Sequence, residues 1–284
     1  HPAPADLARA FASSIRWLPV DGVQRTVVRT LASRSPHSAA KTATRGLRRT
    51  VGELLDEPWD AVVVDGIQST WVTPLLAARA LRSSVIHVSH NHETIMRREI
   101  AAAQQSFGRR GVLRYDVARV ARAEAETVAV ADVVSAITDR DVERFAAGAD
   151  DGTTFLVVPP GWSGTRRTDS PPISERPRRV GIMGSFDWHV KQEGLRRFLA
   201  VADPLFADAD CELVIGGRAP DHFRRSLESG LRVTRFVGWV DDPGAFLDAC
   251  RMGVISESLG GGFKLKALDY VFHRVPLACL DHCT

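Results

Sequence analysis

Cysteine is scarce in this sequence: four residues among 284, Cys211, Cys250, Cys279 and Cys283, with no C-x-x-C pair. That scarcity excludes a disulfide framework and a four-thiolate zinc site, and a reducing, cytoplasmic setting is expected. Long hydrophobic runs are also missing. The longest stretch without Asp, Glu, Lys or Arg is 14 residues, 152–165, and it contains two prolines. A membrane-spanning helix needs about 20 apolar residues, so none is expected. Neither a Walker A sequence nor G-x-G-x-x-G occurs, which disfavours ATP hydrolysis and dinucleotide binding. Aromatic and basic residues are not interleaved into a platform for nucleic acid, and a net charge of +3 is too mild to imply such a partner. Lysine is rare as well: only Lys41, Lys191, Lys264 and Lys266 among 37 basic residues. No methionine and no charged-then-apolar leader opens the chain, which is expected to be incomplete at both termini.

What is present is a series of short, continuous apolar runs at 61–64, 85–88, 133–137, 155–158, 180–183, 213–215, 235–237, 253–255 and 276–280. Continuous rather than alternating apolarity predicts parallel strands covered on both faces. Helical spacing lies between most of them. Over 116–130 it places Val117, Val120, Ala121 and Val128 on one face and turns Arg119, Arg122 and Glu126 away. Helices are also expected over 5–15, 39–55 and 192–207. This alternation predicts an α/β protein of doubly wound, Rossmann-like layers. At 159–177 the sequence PPGWSGTRRTDSPPISERP, with five prolines, is unsuited to helix or sheet and reads as a linker. The expected organisation is a domain over 1–160, a linker over 161–177 and a second domain over 178–284, with a cleft between the domains and the chemistry in loops that follow strands.

Three post-strand segments of the second domain suit an anion. SESLGGGFKLKALDYVFHRVPLA runs from a strand through Gly260, Gly261 and Gly262 into a helix bearing Lys264, Lys266 and Asp269. Its glycines let backbone approach a ligand, and the helix start adds N–H groups and a positive dipole end. MGSFDWHVKQEG holds Gly184 and Lys191, and IGGRAPD holds Gly216 and Gly217. Three of the four lysines thus fall in two such segments, which points to ammonium groups meeting a polyanion such as a diphosphate. In the first domain, SHNHETIMRR follows a strand and gathers His90, Asn91, His92 and Glu93. A histidine there suits a sugar hydroxyl or a leaving group; the structural alternative is a helix start with Asn91 as its cap. Asp241 and Asp242 before Pro243 read as a helix cap rather than a metal pair. Arg97, Arg98, Arg109, Arg110 and Arg114 read as a solvated face, or else as a peripheral contact for anionic lipid headgroups or an acidic acceptor.

Taken in order, HNHE, EAETVAVADVVSAITDRDVERF, GSFDWHVKQEG, RFVGWVDDPGAFLDAC and GGGFKLKALDYVFHRVPLA resemble the retaining family 4 glycosyltransferases over about residues 59–280. The resemblance implies the two-domain GT-B fold. It also implies transfer of a sugar from a nucleoside-diphosphate sugar to an acceptor hydroxyl with retention and without a metal or other cofactor. The acceptor would be a carbohydrate, a lipid-linked or a small molecule, in polysaccharide or glycolipid biosynthesis. By the resemblance His90 contacts the donor sugar, Lys191 and Lys264 grip the diphosphate, and Asp269 holds the ribose hydroxyls. Gly260–Gly262, the N–H groups up to Phe263, Lys266, Gly184, Gly216 and Gly217 complete the donor site. Asp269 is one methylene shorter than the family's glutamate, and the partner glutamate falls on Gly261, which leaves Glu257 as the candidate sugar contact. The family's first strand would precede His1, and its closing helices would follow Thr284. Two rival readings share the donor chemistry: a GT-B nucleotide-sugar epimerase, and a non-catalytic nucleotide-binding protein.

Overall fold

The computed structural model describes residues 15–16, 18, 20, 26–79, 82–162, 164, 166–257 and 263–280. The helix expected over 5–15 therefore lies almost wholly outside the described residues, as does Cys283. The chain divides into two compact units. One is built from residues up to Leu156, and the other from Val157 onward together with Ile95–Arg110 and Ile137–Asp141.

In chain order the first part contains α1 (Val27–Leu31), α2 (His37–Thr42), α3 (Arg45–Leu54), β1 (Ala61–Asp65), a 3-10 segment (Ile67–Val72) and α4 (Thr73–Ala77). It continues with β2 (Ser84–Ser89), α5 (Glu93–Ala103), α6 (Phe107–Val130), β3 (Val133–Ala136), α7 (Asp139–Ala146) and β4 (Thr154–Val157). The sheet order is β1-β2-β3-β4, with β1–β2 and β2–β3 parallel. Val64, Trp71, Val85, Val134 and Phe145 share its core. Every apolar run expected to be a strand is one. Coverage on both faces is not general, however: Val63 is 58% exposed on β1 and Leu156 46% on β4. The helix expected over 39–55 is two helices. Thr44 breaks the run and caps α3 by accepting from the Leu47 N–H at 3.1 Å.

Arg119 corrects the helical-face reading. It is buried, at 6% exposure, because its guanidinium donates to the Thr30 and Ser33 carbonyls (2.8 and 2.9 Å) and pairs with Asp116 at 2.6 Å. Carbonyls at a helix C-terminus lack intrahelical partners, and Arg119 supplies donors to those at the end of α1.

The second part contains β5 (Arg179–Met183), α8 (His189–Asp208), β6 (Glu212–Gly216), α9 (Asp221–Glu228), β7 (Thr234–Gly238), α10 (Pro243–Asp248), β8 (Met252–Ile255), α11 (Lys266–Phe272) and β9 (Leu277–Cys279). Its five strands are all parallel in the order β7-β6-β5-β8-β9. The winding direction reverses between β5 and β8, and open α/β sheets bind ligands beyond the carboxyl ends of strands at such a reversal. Asp242 caps α10 as expected, accepting from the Gly244 and Ala245 N–H groups.

Asp203, buried on α8, accepts from the backbone N–H groups of Arg232, Val233 and Thr234 and from the Thr234 hydroxyl. Burial alone would raise its pKa, but these hydrogen bonds outweigh burial and hold it below 3.8. A carboxylate depressed by folding stabilises the protein above its unfolded pKa, and that contribution disappears as pH falls through the folded value. Urea titrations should therefore show stability falling below about pH 4, with Asp203→Ala costing about 1–3 kcal/mol at neutral pH and flattening the acid limb. A variant as stable as the parent at pH 7 would contradict this.

Candidate functional site

The carboxyl ends of β5 and β8 bring together most of the second-unit residues singled out from sequence. Lys266 opens α11, and its Nζ donates to Glu257 Oε1 at 2.5 Å and to the Met183 carbonyl at 3.4 Å. The Lys266 and Glu257 side chains are 19% and 10% exposed. Burial lowers the pKa of Lys266, and Glu257 opposes that shift. Lys191 and Lys264 lower it further by like-charge repulsion. Lys266 therefore feels both neighbouring ammonium groups at the winding reversal, with the Glu257 carboxylate against it. Glu257, read from sequence as a sugar contact, is the ion-pair partner of Lys266. Lys264 lies just before α11, Phe263 beside it is 40% exposed, and Gly260, Gly261 and Gly262 lie outside the described residues.

The helix behind the glycines is shorter than the sequence suggested. It begins at Lys266 and has seven residues, so charged lysines outweigh its dipole. Lys191 is not in a loop: it occupies the first turn of α8, which has 20 residues and no side-chain cap at Trp188. Gly184 and Gly217 meet closely. A Cβ on Gly217, whose φ is +115°, would fall 2.0 Å from the Gly184 carbonyl oxygen, and one on Gly184 would lie 3.7 Å from Lys266 Nζ. Gly216 accepts from the Gly184 N–H at 3.0 Å. These glycines bring two strand ends together.

Tyr270, buried on α11, pins the same corner. Its hydroxyl accepts from the Met183 N–H at 2.9 Å and donates to the Gly181 carbonyl at 3.3 Å, and burial pushes the phenol pKa up. Asp269, in the first turn, accepts from the Trp162 indole at 2.9 Å. That indole stacks on Phe272, with ring centroids 4.3 Å apart.

In the first unit, His90 Nε2 lies 2.7 Å from Asp65 Oδ1. Asp65 ends β1 and His90 follows β2, and parallel pairing aligns Asp65 with Val88. Asp65 was missed from sequence: 25 positions separate the pair, and only strand adjacency joins them. The helix after this loop starts at Glu93, one residue later than an Asn91 cap requires. Its Glu93 and Thr94 N–H groups instead donate to Glu124 of α6, at 2.7 and 3.0 Å. Burial raises the Glu124 pKa, and these hydrogen bonds oppose the rise. His92 stacks on Phe145 at 4.7 Å. Arg110 donates to the Gln104 carbonyl and lies over Phe107, and no helix among the described residues is long and apolar enough to cross a membrane.

Residues 177–283 match the family model for Glycosyl transferases group 1. Among solved structures, TarM is similar with a TM-score of 0.59 at 13% identity, over 81% of this chain and 43% of TarM. The trehalose-6-phosphate structure from E. coli with bound UDP-2-fluoro glucose is similar at 0.57 and 12%, over 84% and 63%. The pneumococcal O-GlcNAc transferase GtfA in complex with UDP and GlcNAc is similar at 0.55 and 16%, over 84% and 45%. The chain spans less than two thirds of the length of each. These likenesses show the fold: α/β with two parallel sheets, the GT-B fold. No curated protein matches in sequence.

Proposed function

We propose that the chain serves a glycosyltransferase that moves a sugar from a nucleoside-diphosphate sugar to an acceptor hydroxyl, with retention and without a metal. One observation carries the reading: at the winding reversal of the sheet Lys266 is held by Glu257 and the Met183 carbonyl, near enough to Lys191 and Lys264 for their charges to lower its pKa. Glu257 pairs with Lys266, and the two further ammonium groups nearby suit a diphosphate. Lys191 and Lys264 hold it, together with backbone N–H groups from Gly261 to Phe263. Gly184, Gly216 and Gly217 keep the strand ends low enough for the approach, and Asp269 receives the ribose hydroxyls. UDP in one of the similar structures and a UDP-sugar in another make uracil the first base to try.

As the bond from the anomeric carbon to the diphosphate breaks, the electron pair leaves with the phosphate oxygen. Charge grows there in the transition state, where fixed ammonium groups act more strongly than on the ground state. The same oxygen takes the proton of the incoming hydroxyl, so no protein carboxylate needs to serve as base. Incubating the protein with UDP-, GDP- and ADP-sugars and an acceptor panel tests this. One donor should yield a nucleoside diphosphate and a glycoside of unchanged anomeric configuration. A changed sugar formed from donor alone, without acceptor, would favour an epimerase instead.

His90 is assigned to the donor sugar, with Asp65 fixing the plane and tautomer of its ring. Both side chains are more than half exposed, at 54% and 62%, so the pair adds little stability. Asp65→Asn should leave the melting temperature unchanged and lower kcat about tenfold. An unaltered kcat would remove Asp65 from the account.

A further inference from the structure

We propose that Trp162 is a positioning residue for nucleotide recognition: it holds the Asp269 carboxylate in the orientation that receives a ribose. The inference rests on the donor reading above. Trp162 lies in the proline-rich 159–177 segment, which the sequence marks only as a connection. In the structure part of that segment straps onto α11. The indole stacks on Phe272 at 4.3 Å and 26° while its Nε1–H donates to Asp269 Oδ1 at 2.9 Å. Asp269 and Phe272 are three apart on one helix, so they present neighbouring side chains, and one indole engages both. The strap is fixed further on. The Arg167 N–H donates to the Phe272 carbonyl at 2.9 Å, Arg167 Nε donates to Asp248 at 3.1 Å, and the Arg166 guanidinium lies 4.5 Å from the Phe272 ring centroid.

Chemistry gives this geometry a use. An ionised carboxylate only accepts, and its two oxygens offer about four lone-pair sites. One indole N–H leaves capacity for two adjacent ribose hydroxyls. A hydrogen bond to a charged acceptor is also worth more than a neutral one. Aspartate has one torsion fewer than glutamate, so a single donor and a stacked wall suffice to fix it. Trp162 engages Asp269, Phe272 and the edge of the His273 ring, so its effect should fall on the nucleoside and not on the diphosphate.

Calorimetric titration separates the two. The ligands are inorganic pyrophosphate and whichever of UDP, GDP and ADP binds the parent protein most tightly. Trp162→Phe keeps an aromatic surface on Phe272 and loses the donor. It should weaken the nucleoside diphosphate roughly five- to tenfold and leave pyrophosphate within about twofold. In an Asp269→Asn background the same substitution should have no further effect, since its action runs through that carboxylate. Equal loss for both ligands, or loss for neither, overturns the proposal and leaves the strap purely structural. If Trp162→Phe does not fold by circular dichroism, Phe272→Leu, which removes the wall and keeps the indole, must show the same selective loss. A parent protein that binds no nucleoside diphosphate overturns the donor reading itself, whereas a parent that binds one and shows no selectivity in the variants overturns only the role of Trp162.

Discussion

Lys264→Ala is expected to lower turnover about 100-fold, the usual scale for removing one preorganised donor from developing negative charge. Its effect should exceed that of Lys266→Ala on the chemical step. Lys266 is already committed to Glu257 and to the Met183 carbonyl, so its loss should act first on folding. Removing one member of a mostly buried pair leaves the other uncompensated, a penalty of several kcal/mol. Lys191→Ala should resemble Lys264→Ala, and Lys264→Arg should recover part of the rate, because charge is kept while reach and geometry change. Steady-state kinetics with the preferred donor, alongside melting temperatures, separates these cases. A Lys264→Ala protein with parental kcat would dismantle the electrostatic account.

Gly217→Ala is expected to destabilise the second unit by more than about 3 kcal/mol and to abolish donor binding with it. The obstruction is backbone: the added Cβ would sit 2.0 Å from the Gly184 carbonyl oxygen, at a residue already at φ +115°. No side chain can move aside to relieve it. The Gly184 N–H to Gly216 carbonyl and Gly217 N–H to Gly238 carbonyl bonds tie the ends of β5, β6 and β7 together there. Gly184→Ala is the instructive contrast. Its Cβ would meet Phe186 at 3.4 Å and Lys266 Nζ at 3.7 Å, contacts that are tight or ordinary, so stability should change little while the lysine corner is disturbed. Urea denaturation of both variants checks the ranking. Equal stability for Gly217→Ala and the parent protein would show that the strand ends part more easily than described.

The strands were legible because parallel strands inside an α/β layer are local: each is a short apolar run between helical segments. Their order was not. Nothing in the run at 253–255 says that it pairs beside 180–183 rather than beside 235–237, yet that pairing creates the reversal at which the lysines meet. The lysines themselves stood out through their rarity among arginines. Their unequal roles did not, because Glu257 and Lys266 are nine residues apart on either side of the glycines, and only the fold closes that distance. Arg119 looked solvent-facing because helical periodicity is blind to the acceptor carbonyls presented at the end of another helix. Asn91 looked like a cap because caps are usually local, whereas Glu124 reaches the α5 start from 31 positions away. A lone tryptophan in an otherwise polar, proline-rich connection was the available sign of Trp162. Large aromatics in such segments need a surface to bury against.

The claim on which the rest depends is that a diphosphate docks between the carboxyl ends of β5 and β8. A crystal structure of the protein with its preferred nucleoside diphosphate measures this directly. The account predicts phosphate oxygens within hydrogen-bond distance of the Lys191 and Lys264 ammonium groups, with the ribose against Asp269. A diphosphate bound elsewhere on the chain, out of reach of those two ammonium groups, would contradict it.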